Sequence, residues 1–301
     1  MDNISNWLLQ GNNMAYAMTG FIGFFILLYF FYNIMSFLIL KERYHGIRFT
    51  TKNIAYITMF TAINVSITVV ISLTVPITVF PPIRIAFEGV MVKITGFIFG
   101  PIIGVLVALI TEILVMIFVP SFVHPAFIIV IICYGFIAGI GSSFLRLGKG
   151  YNWVPVLLIN LFLIIFAAFM IFIINAYPED QKIQVLSFSV NKEIYKWIFL
   201  GSIIACLALF WSIYFALLIK GQRKTLHVLL PVILFATASE YLVTAVISAW
   251  GDAGFLGINS EGGYTAMFIS RLVQAPLKII FNSAILYLTY KAVSPLIKRD
   301  R

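Results

Sequence analysis

Four polar side chains recur along the most C-terminal apolar segment, at intervals of three, four and four residues. They are Arg271, Gln274, Lys278 and Asn282. This spacing places them on one face of a helix. That face cannot be exposed to lipid, because a charge at membrane depth is stable only beside a partner, a cavity or water. Charged side chains at membrane depth are candidates for a functional site by default, so this face is one.

The preceding apolar segment carries a similar stripe of polar side chains. Its members, spaced for one helical face, are Thr237, Glu240 or Tyr241, Thr244 and Ser248. Two neighbouring helices could then present polar faces to a common cavity. Across that cavity, Glu240 could form an ion pair with Lys278 or with Arg271.

Three further charges lie in the apolar stretch PPIRIAFEGVMVKITGFIFGP, residues 81–101. Arg84 and Glu88 are one turn apart, which is equally the spacing of an ordinary ion pair on a helix surface. Lys93 could extend to the membrane boundary or pair with Glu112. Lys93 also interrupts a face of small residues on which another helix can pack closely, made of Gly89, Gly96 and Gly100.

The charges in or beside the apolar segments do not cancel. Four are basic and three are acidic, which leaves one positive charge to attract a carboxylate ligand. The set consists of Arg84, Lys93, Arg271, Lys278, Glu88, Glu112 and Glu240.

The composition indicates which elements position these charges. The 301 residues are 62% hydrophobic and 10% charged, a composition that a water-soluble domain does not have. Apolar runs of about 20 residues can cross a bilayer as helices, so we predict an all-α integral membrane protein with about nine spans. The spans lie near residues 15–40, 53–75, 84–100, 102–119, 126–145, 154–176, 197–220, 227–250 and 266–291. Gly100 and Pro101 permit a sharp turn, so the third and fourth spans are predicted to form a hairpin.

Basic residues at the loop ends predict the orientation in the membrane. Thirteen of the 20 Lys and Arg residues lie on one side of the predicted spans, and the positive-inside rule places that side in the cytoplasm. The N-terminus is then outside and the C-terminus inside. The net charge of +9 is scattered over loops beside the membrane, where attraction to anionic lipid explains it better than nucleic-acid binding does.

Several activities have no support in the sequence. Cys133 and Cys206 stand alone, without the spacing of metal ligands, so no metal site is predicted. The chain carries no phosphate-binding loop, no HExxH motif and no nucleophile beside a base, so we predict neither an enzyme nor a cofactor. A driving ATPase would be a separate chain. His124, before Pro125, is expected to be a capping group or at most part of a pocket rim.

Three stretches of the chain follow one family pattern, in the order that the family has. They are IRIAFEGVMVKITGFIFGPIIG at 83–104, HPAFIIVIICYGFIAGI at 124–140 and FISRLVQAPLKIIFNSAILYLTY at 268–290. The first resembles a loop and helix ending in GxxFGPxxG, the second a glycine-bearing fourth helix, and the third a final helix with an outer arginine. This pattern is similar to that of the membrane-embedded substrate-binding (S) components of energy-coupling factor (ECF) vitamin importers, particularly the folate group.

The resemblance implies a six-helix core, to which one N-terminal helix and two inserted helices are added. Residues 53–148 would contain core helices 1–4. Residues 225–301 would contain core helices 5 and 6 and a cytoplasmic tail. The added N-terminal helix and its loop would occupy residues 1–52, and the inserted helix pair residues 149–224.

The resemblance also implies a function. The chain would be the specificity subunit of an ATP-driven importer in a bacterial cytoplasmic membrane, binding a folate-like vitamin from outside beneath the loops at 76–84, 120–125 and 251–265. A transmembrane coupling subunit and two ATPase subunits would drive transport. The coupling subunit would dock on the first core helix at Thr58, Ala62 and Ser66. The candidate substrate-binding residues are Arg84, Phe87, Glu88, Lys93, His124, Glu240, Arg271, Gln274 and Lys278, of which Arg84 and Arg271 fall on the family's arginine positions.

Departures from the folate pattern leave the ligand open. Glu88 and Lys93 stand where that group has glycine and a small or apolar residue, so another vitamin such as pantothenate or riboflavin is an alternative. A function of a different class is the second alternative. The chain would then be a stand-alone proton- or ion-coupled carrier, in which Glu88, Glu112 and Glu240 would relay the ion.

Overall fold

The computed structural model describes Trp7 and residues 12–39, 51–74, 81–118, 124–146, 151–176, 183–185, 188–255 and 263–298. The helices in these ranges are α1 (Asn13–Ile39), α2 (Thr51–Thr74), α3 (Pro81–Phe99), α4 (Pro101–Phe118), α5 (Pro125–Ser143), α6 (Trp153–Ala176), α7 (Lys192–Ile219), α8 (Arg223–Ala238), α9 (Ser248–Phe255) and α10 (Gly263–Lys298). A π-helix, Ser239–Ile247, joins α8 to α9, and a 3-10 turn, Phe144–Arg146, follows α5. Two short antiparallel strands, β1 (Ile183–Val185) and β2 (Phe188–Val190), form a hairpin between α6 and α7.

Seven helical stretches of the described chain are long and apolar enough to cross a membrane. They are Asn13–Met35, Pro101–Phe118, Pro125–Ser143, Trp153–Phe172, Lys196–Ile219, Arg223–Gly254 and Met267–Pro295. Two shorter apolar stretches lie in α2 and α3, at Ile54–Val70 and Gly89–Phe99. The predicted class, an all-α multi-pass membrane protein, is confirmed.

A central rod, made of α8, the π-helix and α9, organises the bundle. It is the most buried of the seven apolar stretches. A trio of helices, α3, α4 and α5, packs against one side of the rod, chiefly through α5, and α2 packs on α3 and α4. An outer pair, α6 and α7, packs against α8, and α10 lies beside the rod in contact with both α3 and α7.

Glycine allows the trio to pack more closely than side chains would permit. Gly100 lies between Phe99, the last residue of α3, and Pro101, the first residue of α4. Its φ is +97°, a value that a residue with an L side chain rarely adopts. A Cβ atom on Gly135 of α5 would lie 2.5 Å from the carbonyl carbon of Gly104, and one on Gly139 would lie 2.7 Å from that of Gly100. Gly96 likewise faces the Gly135 backbone. The predicted turn and the predicted close approach of a helix to the small-residue face of α3 are both confirmed.

Polar side chains join the two helices of the outer pair to each other and join α7 to α10. Trp211 Nε1 of α7 donates to Asn160 Oδ1 of α6 over 3.2 Å. Pro276 lies inside α10 and has no N–H, so the carbonyl of Leu272 one turn earlier lacks its helical donor. Ser202 Oγ of α7 donates to that carbonyl over 3.2 Å, which satisfies it inside the bundle.

Candidate functional site

The first charged pair in the interior joins Arg271 of α10 to Asp252 of α9. Arg271 Nε donates to Asp252 Oδ2 over 2.8 Å, and Arg271 Nη2 contacts the same oxygen. Arg271 Nη1 donates to the carbonyl of Thr244 over 3.0 Å. Both charged side chains are 1% exposed. The pair therefore ties the first turns of α10 to the central rod, and the guanidinium predicted to face a ligand is engaged within the protein.

A second group of charges lies where α3, the π-helix and α10 meet. Lys278 Nζ of α10 is 3.8 Å from Glu240 Oε1 of the π-helix. Lys93 of α3 is 1% exposed and close enough to interact electrostatically with both Glu240 and Lys278. Lys278 in turn interacts electrostatically with Arg271 and Asp252, so the two groups form one electrostatic unit. Because Lys93 is buried, the expectation that it could extend to the membrane boundary was wrong.

Tyr134 of α5 connects the two groups through its ring and its hydroxyl. The Lys93 ammonium lies over the ring, 3.9 Å from its centroid, in a cation–π contact. The Tyr134 hydroxyl hydrogen-bonds with Thr244 Oγ1 at 2.6 Å, and Thr244 also supplies the carbonyl that Arg271 binds. Gly89 makes room for the ring, since a Cβ atom there would lie 2.5 Å from two ring carbons. Sequence reasoning missed Tyr134 because nothing distinguishes it from other aromatic residues of an apolar span.

The π-helix divides the polar stripe that the sequence predicted along the rod. Thr244 faces Tyr134 of the trio, whereas the Tyr241 ring packs 4.9 Å from that of Phe166 in the outer pair. Thr237 lines a cavity beside the outer pair. The expectation of one shared polar face was therefore wrong for Thr237, and of the alternatives Glu240 and Tyr241 it is Glu240 that faces the charged interior. A π-helix has wider turns than the α-helix whose spacing the prediction assumed.

The site contains buried polar atoms with no hydrogen-bond partner among the described residues. They are Glu240 Oε1, Lys278 Nζ, Asp252 Oδ1, Asn282 Oδ1, Ser239 Oγ and Ser248 Oγ. A buried polar atom without a partner is unfavourable by about 1–3 kcal/mol, and such atoms are rare in native proteins unless water or a ligand meets them. Hydrogen-bonding capacity therefore remains on the π-helix, α9 and α10 for water or a polar ligand.

The charges of the site are also unbalanced. Arg271 and Asp252 neutralise each other, whereas Glu240 is the one carboxylate that interacts with both Lys278, which is 3.8 Å away, and Lys93, through a longer-range electrostatic interaction. A surplus positive charge in a poorly solvated interior is stabilised by an anion. The arrangement can therefore hold one further carboxylate or other monoanion.

The remaining predicted site residues lie apart from this unit or outside the described side chains. His124 begins α5, where its Nδ1 accepts a hydrogen bond from the Ala126 N–H over 3.2 Å, so the predicted capping role is confirmed. Gln274 is half-buried on α10 and donates to Ser270 Oγ over 3.3 Å. The side chains of Arg84, Phe87 and Glu88 lie outside the described part of the structure, as do most residues of the three predicted pocket loops.

The predicted docking residues share one surface. Thr58, Ala62 and Ser66 are all exposed on α2. In the part of the chain that the structure describes, no group of three His, Cys, Asp or Glu residues could hold a metal ion.

The chain was also compared with known proteins. No family profile, curated protein or solved structure matches it significantly.

Proposed function

We propose that this chain is the substrate-binding S component of an energy-coupling factor importer, and that it binds a folate-like vitamin through that vitamin's carboxylate. The observation that carries the proposal is a pair of lysines in the interior, of which Lys278 is ion-paired with Glu240 and the buried Lys93 interacts electrostatically with both. One carboxylate cannot match two ammonium groups, so an acidic ligand would complete the charge balance of the bundle.

The unpartnered atoms suit the rest of such a ligand. A folate combines carboxylates with a planar ring system that carries both hydrogen-bond donors and acceptors. Asp252 Oδ1 and Asn282 Oδ1 accept no hydrogen bond among the described residues, and Lys278 Nζ, although ion-paired with Glu240, donates none. The ligand's donors would meet the two oxygens while its carboxylate meets the lysines.

The finer architecture belongs to the same proposal. The chain would cross a bacterial cytoplasmic membrane nine times with its N-terminus outside. Its six-helix core would consist of α2 to α5, the central rod and α10, with α1 and the outer pair added. The exposed residues Thr58, Ala62 and Ser66 would dock on the coupling subunit. The Thr58 hydroxyl already donates to the Ile54 carbonyl over 2.9 Å, so it stays hydrogen-bonded when a partner helix covers it. Two separate ATPase subunits would supply the energy.

Thermal stability of the purified full chain with a panel of water-soluble vitamins tests the proposal. A ligand that binds only the folded state raises the apparent melting temperature. We expect a large shift with reduced folates. A shift with pantothenate or riboflavin instead would retain the transporter class and overturn the ligand, and no shift with any vitamin would contradict the proposal.

Paired substitutions on α10 test the role of the lysines. Lys278→Met removes one buried ammonium, and we expect about 10- to 100-fold weaker binding of the ligand, since a hydrogen bond to a charged group contributes about 1.5–3 kcal/mol. Lys291→Met is the matched control, because Lys291 is exposed on the same helix. Equal affinity in both variants would remove the two-lysine site from the proposal.

A second candidate function is favoured by Glu240, a nearly fully buried carboxylate with one oxygen that has no hydrogen-bond partner among the described residues. Such a carboxylate between two cations could exchange a proton during transport, as in a proton-coupled carrier. Uptake into liposomes by this chain alone, driven by a pH gradient and abolished by Glu240→Gln, would support this alternative. Uptake that requires coupling and ATPase subunits would support the first proposal.

A further inference from the structure

We propose that this protein binds one anionic phospholipid beside the outer pair, with an acyl chain in the cavity between α6, α7, α8 and α10 and the headgroup at the turn between α7 and α8. This site is separate from the charged interior, and the proposal does not depend on the vitamin. Its evidence is an apolar cavity that adjoins an exposed cluster of cations.

The cavity is almost wholly apolar. Its volume is about 260 Å³, and each of the four helices contributes to its wall, for example through Leu163, Phe210, Ile233 and Ile279. An apolar cavity stays empty of water, because water there would lose its hydrogen bonds. A hydrocarbon guest gains about 0.8 kcal/mol for each methylene group that it buries. The cavity therefore favours an aliphatic chain.

The cavity reaches the surface of the bundle that faces lipid. Leu209 and Ile280, two of its lining residues, are 39% and 37% exposed. The helices that carry them are long and apolar enough to cross a membrane. The medium at this opening is then the hydrocarbon of the bilayer, so an acyl chain can enter sideways without crossing water.

The turn between α7 and α8 supplies the charge for a headgroup. Lys220, Arg223 and Lys224 are all exposed there. No ion pair of the described chain involves these residues. Each exposed cation beside a membrane attracts anionic lipid by about 1 kcal/mol. Three adjacent cations therefore bind an anionic headgroup more tightly than a zwitterionic one.

The cavity and the basic turn lie at the same end of the outer pair. Tyr287 lines the cavity, and its hydroxyl is 3.5 Å from Thr225 Oγ1, the residue after Lys224. Leu229, another lining residue, follows Lys224 by five residues, about 7.5 Å along the axis of α8. One phospholipid can span this distance.

Aromatic residues place this end at the membrane boundary. Tyr151 and Trp153, which precede and begin α6, are 56% and 58% exposed. Asn152 between them hydrogen-bonds with His227 of α8 at 2.8 Å, which fixes them beside the basic turn. Exposed Tyr and Trp residues are typical of the level of the lipid headgroups. The basic turn therefore lies where phosphate groups lie.

The experiment is a titration of the purified full chain, in neutral detergent, with phosphatidylglycerol or phosphatidylcholine. Native mass spectrometry would count bound lipid, and melting temperature would report stabilisation. We expect one tightly retained phosphatidylglycerol, weaker binding of phosphatidylcholine and no effect of glycerol phosphate, which has the headgroup charge without the chains. Equal retention of both lipids, or stabilisation by glycerol phosphate alone, would overturn the proposal.

Two variants separate the contributions of the headgroup and the acyl chain. Changing Lys220, Arg223 and Lys224 together to Gln should weaken phosphatidylglycerol binding roughly a hundredfold, about fivefold for each charge. Ala284→Phe should fill the cavity and weaken binding while every cation remains. Lys291→Gln and Ala292→Phe are the matched controls, because both positions are exposed on α10 and neither lines the cavity.

The Ala284→Phe result decides between a site and general attraction to a charged surface. If the cations merely attract an anionic membrane, Ala284→Phe and Ala292→Phe will bind phosphatidylglycerol equally, and the proposal fails. Melting each variant in lipid-free detergent shows whether it is folded before the titration.

Discussion

The trio and the outer pair pack against the same central rod by opposite means. The trio brings glycine backbones together and encloses Lys93, Glu240 and Tyr134 along its seam with the rod and α10. The outer pair exposes apolar side chains over most of its length and leaves a cavity against the rod. Close packing fixes the positions of buried charges, whereas loose apolar packing leaves room for hydrocarbon. The molecule thus has a polar interior on one side and a lipid-like interior on the other.

The first test removes the charged pair that joins α10 to the central rod. Replacing Arg271 with Met leaves Asp252 buried without a cation, and we expect a loss of about 3–5 kcal/mol in the free energy of unfolding. Denaturant titration in detergent measures it. Adding Asp252→Leu removes the stranded charge and should restore most of the stability. A single variant as stable as the wild-type chain would show that the pair does not fasten α10 to the rod.

The second test compares the carboxylate with one of its two lysines. Glu240→Gln leaves two ammonium groups without a counter-charge, so we expect a loss of about 2–4 kcal/mol in the free energy of unfolding. Lys278→Met leaves one cation, Lys93, to balance the charge of Glu240 electrostatically, so we expect a loss below about 1.5 kcal/mol. The same unfolding assay measures both. A larger loss for Lys278→Met would contradict the charge surplus on which the carboxylate site depends.

The third test sharpens the difference in packing by making one substitution on each side. Gly135→Ala inserts a Cβ atom against the backbone of α4, and we expect a loss of about 1–3 kcal/mol. Gly201→Ala in α7 meets no atom within 4 Å, so the better helix propensity of Ala should add about 0.5–1 kcal/mol. Melting temperatures of the two variants should move in opposite directions. Equal shifts would mean that the trio is not the closely packed side.

The smallest effect concerns the start of α5. Burial lowers the pKa of His124 below its ordinary value of about 6.5. The folded state therefore favours the neutral ring, whose Nδ1 accepts from the Ala126 N–H. The stability from this cap is fully present above about pH 6.5 and is lost as the pH falls through the lower folded pKa, by less than about 1 kcal/mol. Stability measured from pH 8 to pH 5 should fall less in His124→Asn, which caps without titrating.

The sequence predicted the parts of the molecule that follow simple rules. Apolar length located the helices, Gly100 and Pro101 located the turn between α3 and α4, and α-helical spacing placed Arg271, Lys278 and Asn282 on a buried face. These predictions succeeded because each depends on local chemistry or on a regular helix.

The rest of the site could not be predicted, because it depends on the π-helix and on contacts between distant segments. Asp252 follows Glu240 by twelve residues, a spacing that in a regular α-helix turns two side chains about 120° apart. The wider turns of the π-helix change that angle, and Asp252 reaches Arg271. The partnership of Lys93 with Tyr134 depends on how α3 and α5 meet, which spacing within one helix does not encode.

The buried ammonium of Lys93 has a consequence for the order of synthesis. Glu240 follows Lys93 by 147 residues, so at about 5–20 residues per second the carboxylate is made roughly 7–30 s later. Until then a charge inside a membrane helix is unfavourable by about 2.5–3.5 kcal/mol on insertion scales. Tyr134 follows Lys93 by only 41 residues. The Tyr134 ring is therefore synthesised 106 residues before Glu240, so it can contact the Lys93 ammonium earlier than that carboxylate can.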